Sequence, residues 1–441
     1  MDQGLATAAP AEDPGAKRRP AGRRALGLLV RWRFAVLTAW TLACGYLVFR
    51  PQTLSTDWWV FEYGSRMLSG LKTSHYTPIE GGPLHLYTWF PRLQIGPPPL
   101  LAAVPTQLLP PQQGKIVAAV VMCGLGVWAL WLIERIAGLV GVAADRVSRM
   151  TLWGGLLVLP AWAVLATYWM HLDDAIALTF TLWATGFVLR GRWWAAALLL
   201  GIAAAGKPWA VAFWFLLLLL PRARRSHAAL LAMASAAVWW VPFVVADPTT
   251  FRATGNVVYI TTADSTARLL GFARTDGGLR AFQLLTMIFV GWLVVRYGRW
   301  PAIVLAVVAT RMLTDPQTWS YYTVGLVLGA FLVDVVATRW RWPWLTTLTA
   351  AFLLVQSVAD VKALSPVTAL TQGLCLLRLA LLLPIIVLFA WPSRSQPFGQ
   401  PLPVAAAEPE GADPDVPDGA TSGEPAVVES AAGTELTDSL A

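Results

Sequence analysis

Residues 151–192 read TLWGGLLVLPAWAVLATYWMHLDDAIALTFTLWATGFVLRGR. Two apolar runs, 151–168 and 175–189, are separated by the polar turn His171-Leu172-Asp173-Asp174, and Arg190 and Arg192 close the second run. Roughly 20 apolar residues cross the hydrocarbon as a helix, and slightly shorter runs span with flanking adjustment. The intervening turn is short enough only for a reversal. The stretch therefore reads as an antiparallel membrane pair with acids at one end and arginines at the other.

The rest of the chain repeats this pattern. Of its 441 residues 56% are hydrophobic and 13% charged, with a mean hydropathy of +0.57, which places it among polytopic membrane proteins rather than multidomain soluble ones. Apolar runs near 34–49, 115–133, 151–168, 175–189, 193–205, 209–220, 228–246, 281–295, 302–313, 321–336, 344–358 and 370–389 predict an all-α bundle of about 12 transmembrane helices. Arginines gather between alternate runs, at 18–33, 135–149, 190–192, 222–225, 296–299 and 339–341. Alternation puts each cluster, and both termini, in the cytoplasm of a multi-pass cell-membrane protein. The net charge of +8 thus sets topology and gives no reason to expect nucleic acid.

Three parts are expected: a disordered basic cytoplasmic tail at 1–30, a transmembrane domain at 31–392, and a disordered Pro/Ala/acidic cytoplasmic tail at 393–441. The first apolar run lacks a small-residue cleavage site before Pro51 and reads as an uncleaved span. The long first outer loop, 51–112, carries an amphipathic stretch from Trp58 to Leu71 that suits an interfacial helix, and a proline-broken apolar stretch from Gln94 to Leu109. Cys44, Cys123 and Cys375 lie inside apolar runs as packing residues. His75, His85, His171 and His227 are scattered, and no zinc, nucleotide or dinucleotide motif accompanies them.

The candidate chemistry lies at the end away from the arginine clusters, where Asp57, Asp173, Asp174, Asp264 and Asp315 are predicted to share one membrane face. Asp57 suits an N-cap for the helix that follows and a general base, two roles that can coexist. Asp173 and Asp174 beside His171 can hold sugar hydroxyls, cap the next helix or offer oxygen ligands to a divalent cation. Adjacent helical residues diverge, so at most one of the pair is expected to face a site. Gly206-Lys207-Pro208 interrupts an apolar stretch, which predicts a bend carrying a costly cation. Lys207 and Arg311 suit a phosphate, with an Arg311–Asp315 ion pair one turn apart as the plainer reading. Tyr321 and Tyr322 can stack on a sugar or belong to an aromatic belt, and Trp319 reads as belt. The outer loop with Asp264, Arg268 and Asp276 offers at most a lid or acceptor contact.

In its ordered features the chain resembles the GT-C-type glycosyltransferases, in particular the actinobacterial polyprenol-phosphate-mannose-dependent mannosyltransferases. The resemblance rests on Asp57 followed by Tyr63 and Arg66-Met67-Leu68-Ser69-Gly70, on Tyr87 to Pro91, on His171 to Asp174, and on Gly201 to Pro208; loosely, it covers most of residues 30–390. It implies inverting transfer of a hexose, mannose in that family, from a polyprenyl-phosphate-linked donor to a cell-envelope glycolipid or glycan on the extracytoplasmic face. Asp57 would be the base, with Lys207, Arg311, His171, Asp173, Asp174, Tyr63, Tyr321 and Tyr322 as substrate-binding residues. No nucleotide sugar is needed, and a divalent cation is an optional helper. A transporter or flippase for a lipid-linked or polar substrate is the main alternative; it calls for matching broken helices in two halves, and only one Gly-Lys-Pro break is present. A non-catalytic scaffold would tolerate changes at Asp57, Asp174 and Lys207 singly.

Overall fold

Runs rich in Leu, Ala and Val with little polar periodicity form helices that meet apolar surroundings on every side. The computed structural model describes residues 27–48, 57–71, 79–255, 257–275, 277–359 and 368–391, apart from the side chains of Val48, Tyr259 and 353–359. All of these belong to one unit, residues 1–404. The expected tails lie outside the described residues except for 27–30, which are helical, as do parts of the first outer loop, His75 and Asp276.

The chain is an all-α membrane protein, with a single two-residue ribbon, Tyr259–Ile260 against Arg274–Thr275, among the described residues. Six described helices are long and apolar enough to cross a bilayer: Pro111–Leu139, Ala144–Trp169, Leu172–Leu189, Arg222–Ala246, Gly277–Arg296 and Ala369–Ala390. Shorter apolar segments, Trp193–Gly206, Pro208–Leu219, Trp300–Thr314 and Ser320–Val336, fill the space among them. The last two are almost wholly buried. Small residues permit this packing. A Cβ at Gly329 would lie 2.4 Å from the Leu305 backbone nitrogen, so the Ile303–Thr314 and Thr323–Val336 helices touch backbone to backbone there.

Many polar groups inside the bundle find partners, as a medium without water favours. Trp162 donates to the Met122 carbonyl at 2.8 Å. At one end of the Thr323–Val336 helix, Arg146 donates to the carbonyls of Val335 and Thr338 at 2.8 and 2.7 Å. Asp334 accepts the amide and hydroxyl of Thr346, both at 2.8 Å, and so starts the following helix. Arg33 pairs with Glu134.

The proline-broken stretch of the first loop folds as a short helix, Pro97–Ala103, with Pro97, Pro98 and Pro99 buried. It docks on the helix Trp193–Gly206 through Gly96, whose amide donates to the Gly206 carbonyl at 3.0 Å. Leu100 packs on Gly64 of the Trp58–Ser69 helix. This links the amphipathic helix of the first loop to the Gly206-Lys207-Pro208 break.

Candidate functional site

Two breaks in helical structure build the site. The Ala144–Ala163 helix widens into a π-helical turn over Val164–Trp169 and stops at Met170, a fully buried residue in the left-handed region at φ 53° and ψ 45°. A side chain there costs roughly 1–2 kcal/mol, and π turns and strained backbone concentrate at functional positions. The reversal delivers His171, and the Leu172–Leu189 helix begins at once with Asp173 and Asp174 in its first turn, where the helix dipole favours carboxylates.

At the second break the Trp193–Gly206 helix ends at Lys207, which is extended at φ −143° and ψ 103°. Pro208 cannot donate to continue the helix, and the chain goes on as a 3₁₀ segment, Pro208–Leu219. The Lys207 ammonium bonds the Asp173 carboxylate and lies 3.2 Å from Asp174 Oδ2. Arg311 donates to Asp174 Oδ1 at 2.7 Å, with its guanidinium carbon 3.7 Å from the Tyr322 ring centre and 4.7 Å from that of Trp209. Asp315 lies 3.9 Å from Arg311 Nε and accepts from Arg280 at 2.9 Å.

His171 joins this chain of alternating charge to Asp57. Its Nδ1 is 3.2 Å from Asp173 Oδ1 and its Nε2 is 2.7 Å from Asp57 Oδ2. Tyr321 stacks on the imidazole at 3.9 Å between ring centres and Phe61 meets it edge-on at 6.5 Å. Burial alone disfavours the imidazolium, but hydrogen bonds to Asp173 and Asp57 outweigh it and raise the His171 pKa to about 9. Asp57 stands at the N-cap of Trp58–Ser69 yet makes no side-chain cap. Its side chain is 32% exposed, whereas those of Asp173 and Asp174 are 0% and 5% exposed. The capping reading of Asp57 is thus replaced by a carboxylate at the rim, oriented by His171.

No family model, curated protein or solved structure matches the chain. The site therefore has to be judged on its own residues. His171, Asp173, Asp174, Lys207, Arg311, Tyr321 and Tyr322 come together with Asp57, as proposed from sequence. Tyr63 sits on the Asp57 helix with its ring edge-on to Phe90 at 5.2 Å. The expectation that one of the paired acids turns away fails, because Lys207 approaches from the facing break and reaches both. Arg311 has Asp174 as its closer partner, and Asp315 is only its second.

Sequence reading missed two arginines. Arg280 completes the charge chain through Asp315; as a cation at the acidic end it breaks the topology pattern, which was the available signal. Arg378, an isolated charge in an apolar run, is fully buried and donates to Asp264 Oδ2 at 2.6 Å and to the Asp264 carbonyl at 2.7 Å. This fastens the loop containing Asp264 to the Ala369–Ala390 helix, a structural use of that acid.

His171, Asp173 and Asp174 offer three donor atoms within 4.8 Å of one another. They fit a divalent cation poorly, because Lys207 and Arg311 already set positive charge against both carboxylates and a metal would have to displace them. Three buried atoms of the cluster are left over: Asp174 Oδ2 lacks an aligned hydrogen bond, and Trp209 Nε1 and Arg280 Nε have no hydrogen-bond partner among the described residues. Such orphans are costly in an apolar interior and suit a ligand's hydroxyl or phosphate oxygen.

Proposed function

We propose that this chain is an integral-membrane glycosyltransferase that moves a hexose, mannose being the first to test, from a polyprenyl-phosphate-linked donor to a cell-envelope glycolipid or glycan. The observation that carries the reading is Asp57: a carboxylate at the rim of a buried charge cluster, not used as a cap and oriented by a histidine. In the reaction Asp57 takes the proton of the acceptor hydroxyl, the freed oxygen attacks the anomeric carbon, and the bond to the phosphate oxygen breaks. Polyprenyl phosphate leaves carrying the electron pair. Arg311 and Lys207 are the cations that meet its phosphate, loosening from Asp174 as they do so. Asp174 Oδ2 accepts one of the sugar hydroxyls, and Tyr321 and Tyr322, packed on His171 and Arg311, border the sugar and hold those two groups in place.

The test is transfer of radiolabelled sugar from polyprenyl-phosphate-mannose into lipid extract by membranes holding wild type or Asp57→Asn at matched levels. Loss of a general base is expected to slow transfer by roughly 10²–10⁴-fold while the variant still folds. Undiminished turnover by Asp57→Asn would remove Asp57 as base. If wild type transfers nothing but moves the lipid-linked sugar across vesicles, the transporter reading replaces the enzyme.

A further inference from the structure

At the end of the bundle away from Asp57, a cavity of about 440 Å³ is lined by Leu218, Arg222, Arg225, Trp292, Val295 and Arg296. Its position follows from two segments. Pro208–Leu219 starts beside Lys207 and Gly277–Arg296 starts three residues before Arg280, so both begin at the charge cluster and end at this cavity. Three arginines are among its lining residues and no acidic residue is. Arg225 donates to the Leu220 carbonyl at 2.9 Å, whereas Arg222 and Arg296, both exposed, have no ionic or hydrogen-bonding partner among the described residues. The cavity also sits at the start of the 25-residue helix Arg222–Ala246, whose N-cap, Pro221, supplies no side-chain acceptor. The amides of that first turn add to the positive potential.

Three arginines around one cavity, with no acid among the lining residues, favour an anion between them. We propose that this cavity binds a phosphate ester, specifically the phosphodiester headgroup of an anionic phospholipid. Arginine matches phosphate oxygens in its fork geometry. The cavity is larger than a phosphate needs, and Leu218 and Val295 give it an apolar side suited to glycerol and the first acyl carbons. Trp292, 39% exposed, has the amphipathic ring that favours headgroup depth. Ordinary topology control asks only that the arginines be present; it does not ask that they surround a cavity without acids.

The full-length protein in detergent would be titrated with phosphatidylglycerol, phosphatidylcholine and inorganic phosphate, with thermal unfolding and native mass spectrometry as readouts. Wild type is expected to retain and be stabilised by phosphatidylglycerol over phosphatidylcholine. Arg222→Gln/Arg296→Gln is expected to bind it on the order of tenfold or more weakly, since each basic residue near an anionic headgroup contributes severalfold. The double variant should keep its unfolding midpoint in phosphatidylcholine, because neither side chain has a protein partner to lose. If it does not fold, Arg296→Gln alone gives a smaller loss in the same direction. Equal retention of phosphatidylglycerol by wild type and variant overturns the site. Inorganic phosphate that binds as tightly as the lipid overturns the lipid assignment and leaves a free phosphate as occupant.

Discussion

Between Asp57 and Asp173 the His171 imidazole has a carboxylate on each nitrogen, and both favour its protonated form. Its pKa is raised from the ordinary 6.5 to about 9, so the folded state holds the proton more tightly than the unfolded chain. The resulting stabilisation is complete below about pH 6.5 and is lost as pH rises through about 9, to a total of order 3 kcal/mol. Thermal unfolding of wild type and His171→Gln from pH 6 to 10 is expected to show a gap that closes above pH 9; a gap constant across that range would mean His171 is neutral in the fold. Single charges such as Asp57 and Lys207 were legible in the sequence because each stands alone at the edge of an apolar run. Their partners were not legible. Asp57 and His171 are 114 positions apart and Asp174 and Arg311 are 137 apart, and no local pattern encodes a pairing at that separation.

At the level of elements, the site depends on two places where a helix fails and on the short helix that docks beside one of them. Gly96 makes the closest approach: a Cβ there would fall 1.7 Å from the Ala205 carbonyl oxygen and 2.7 Å from its carbon. Gly96→Ala must push the Pro97–Ala103 helix off the Lys207 break, at a cost of roughly 1–3 kcal/mol typical of overpacking. Gly124→Ala, where the added methyl meets nothing within 4 Å, is the control. Tryptophan fluorescence during heating is expected to give a lower midpoint for Gly96→Ala and an unchanged or slightly higher one for the control, which lies inside the Pro111–Leu139 helix. Equal midpoints would mean that the loop docks loosely. The Gly-Lys-Pro break was readable because proline states its own effect on a helix. The π turn at Val164–Trp169 and the 3₁₀ geometry of Pro208–Leu219 were not, because uniformly apolar runs carry no phase from which a change of helical pitch can be read.

Across the whole molecule the two ends differ in charge balance. Asp57, Asp173, Asp174 and Asp315 gather with Lys207, Arg311 and Arg280 at one end, and once His171 is protonated each carboxylate has a cation to match. The other end carries Arg222, Arg225 and Arg296 around a cavity with no acid. A bilayer with a negative cytoplasmic surface favours one orientation of such an object, basic end inward. Turn composition leads to the expectation of this orientation; the apolar lengths did not determine how the shorter segments sit, since only six described helices have the length and hydropathy to span unaided. Orientation can be measured because the native thiols, Cys44, Cys123 and Cys375, are all buried. Leu270→Cys adds a reporter at a 70% exposed position in the loop that Arg378 anchors, and Ser226→Cys adds one at an exposed position of the basic turn. In intact cells a membrane-impermeant maleimide is expected to label Leu270→Cys and to reach Ser226→Cys only after lysis. The reverse pattern would put the Asp57 cluster on the cytoplasmic side, where a lipid-linked donor already carried to the outer leaflet could not meet it.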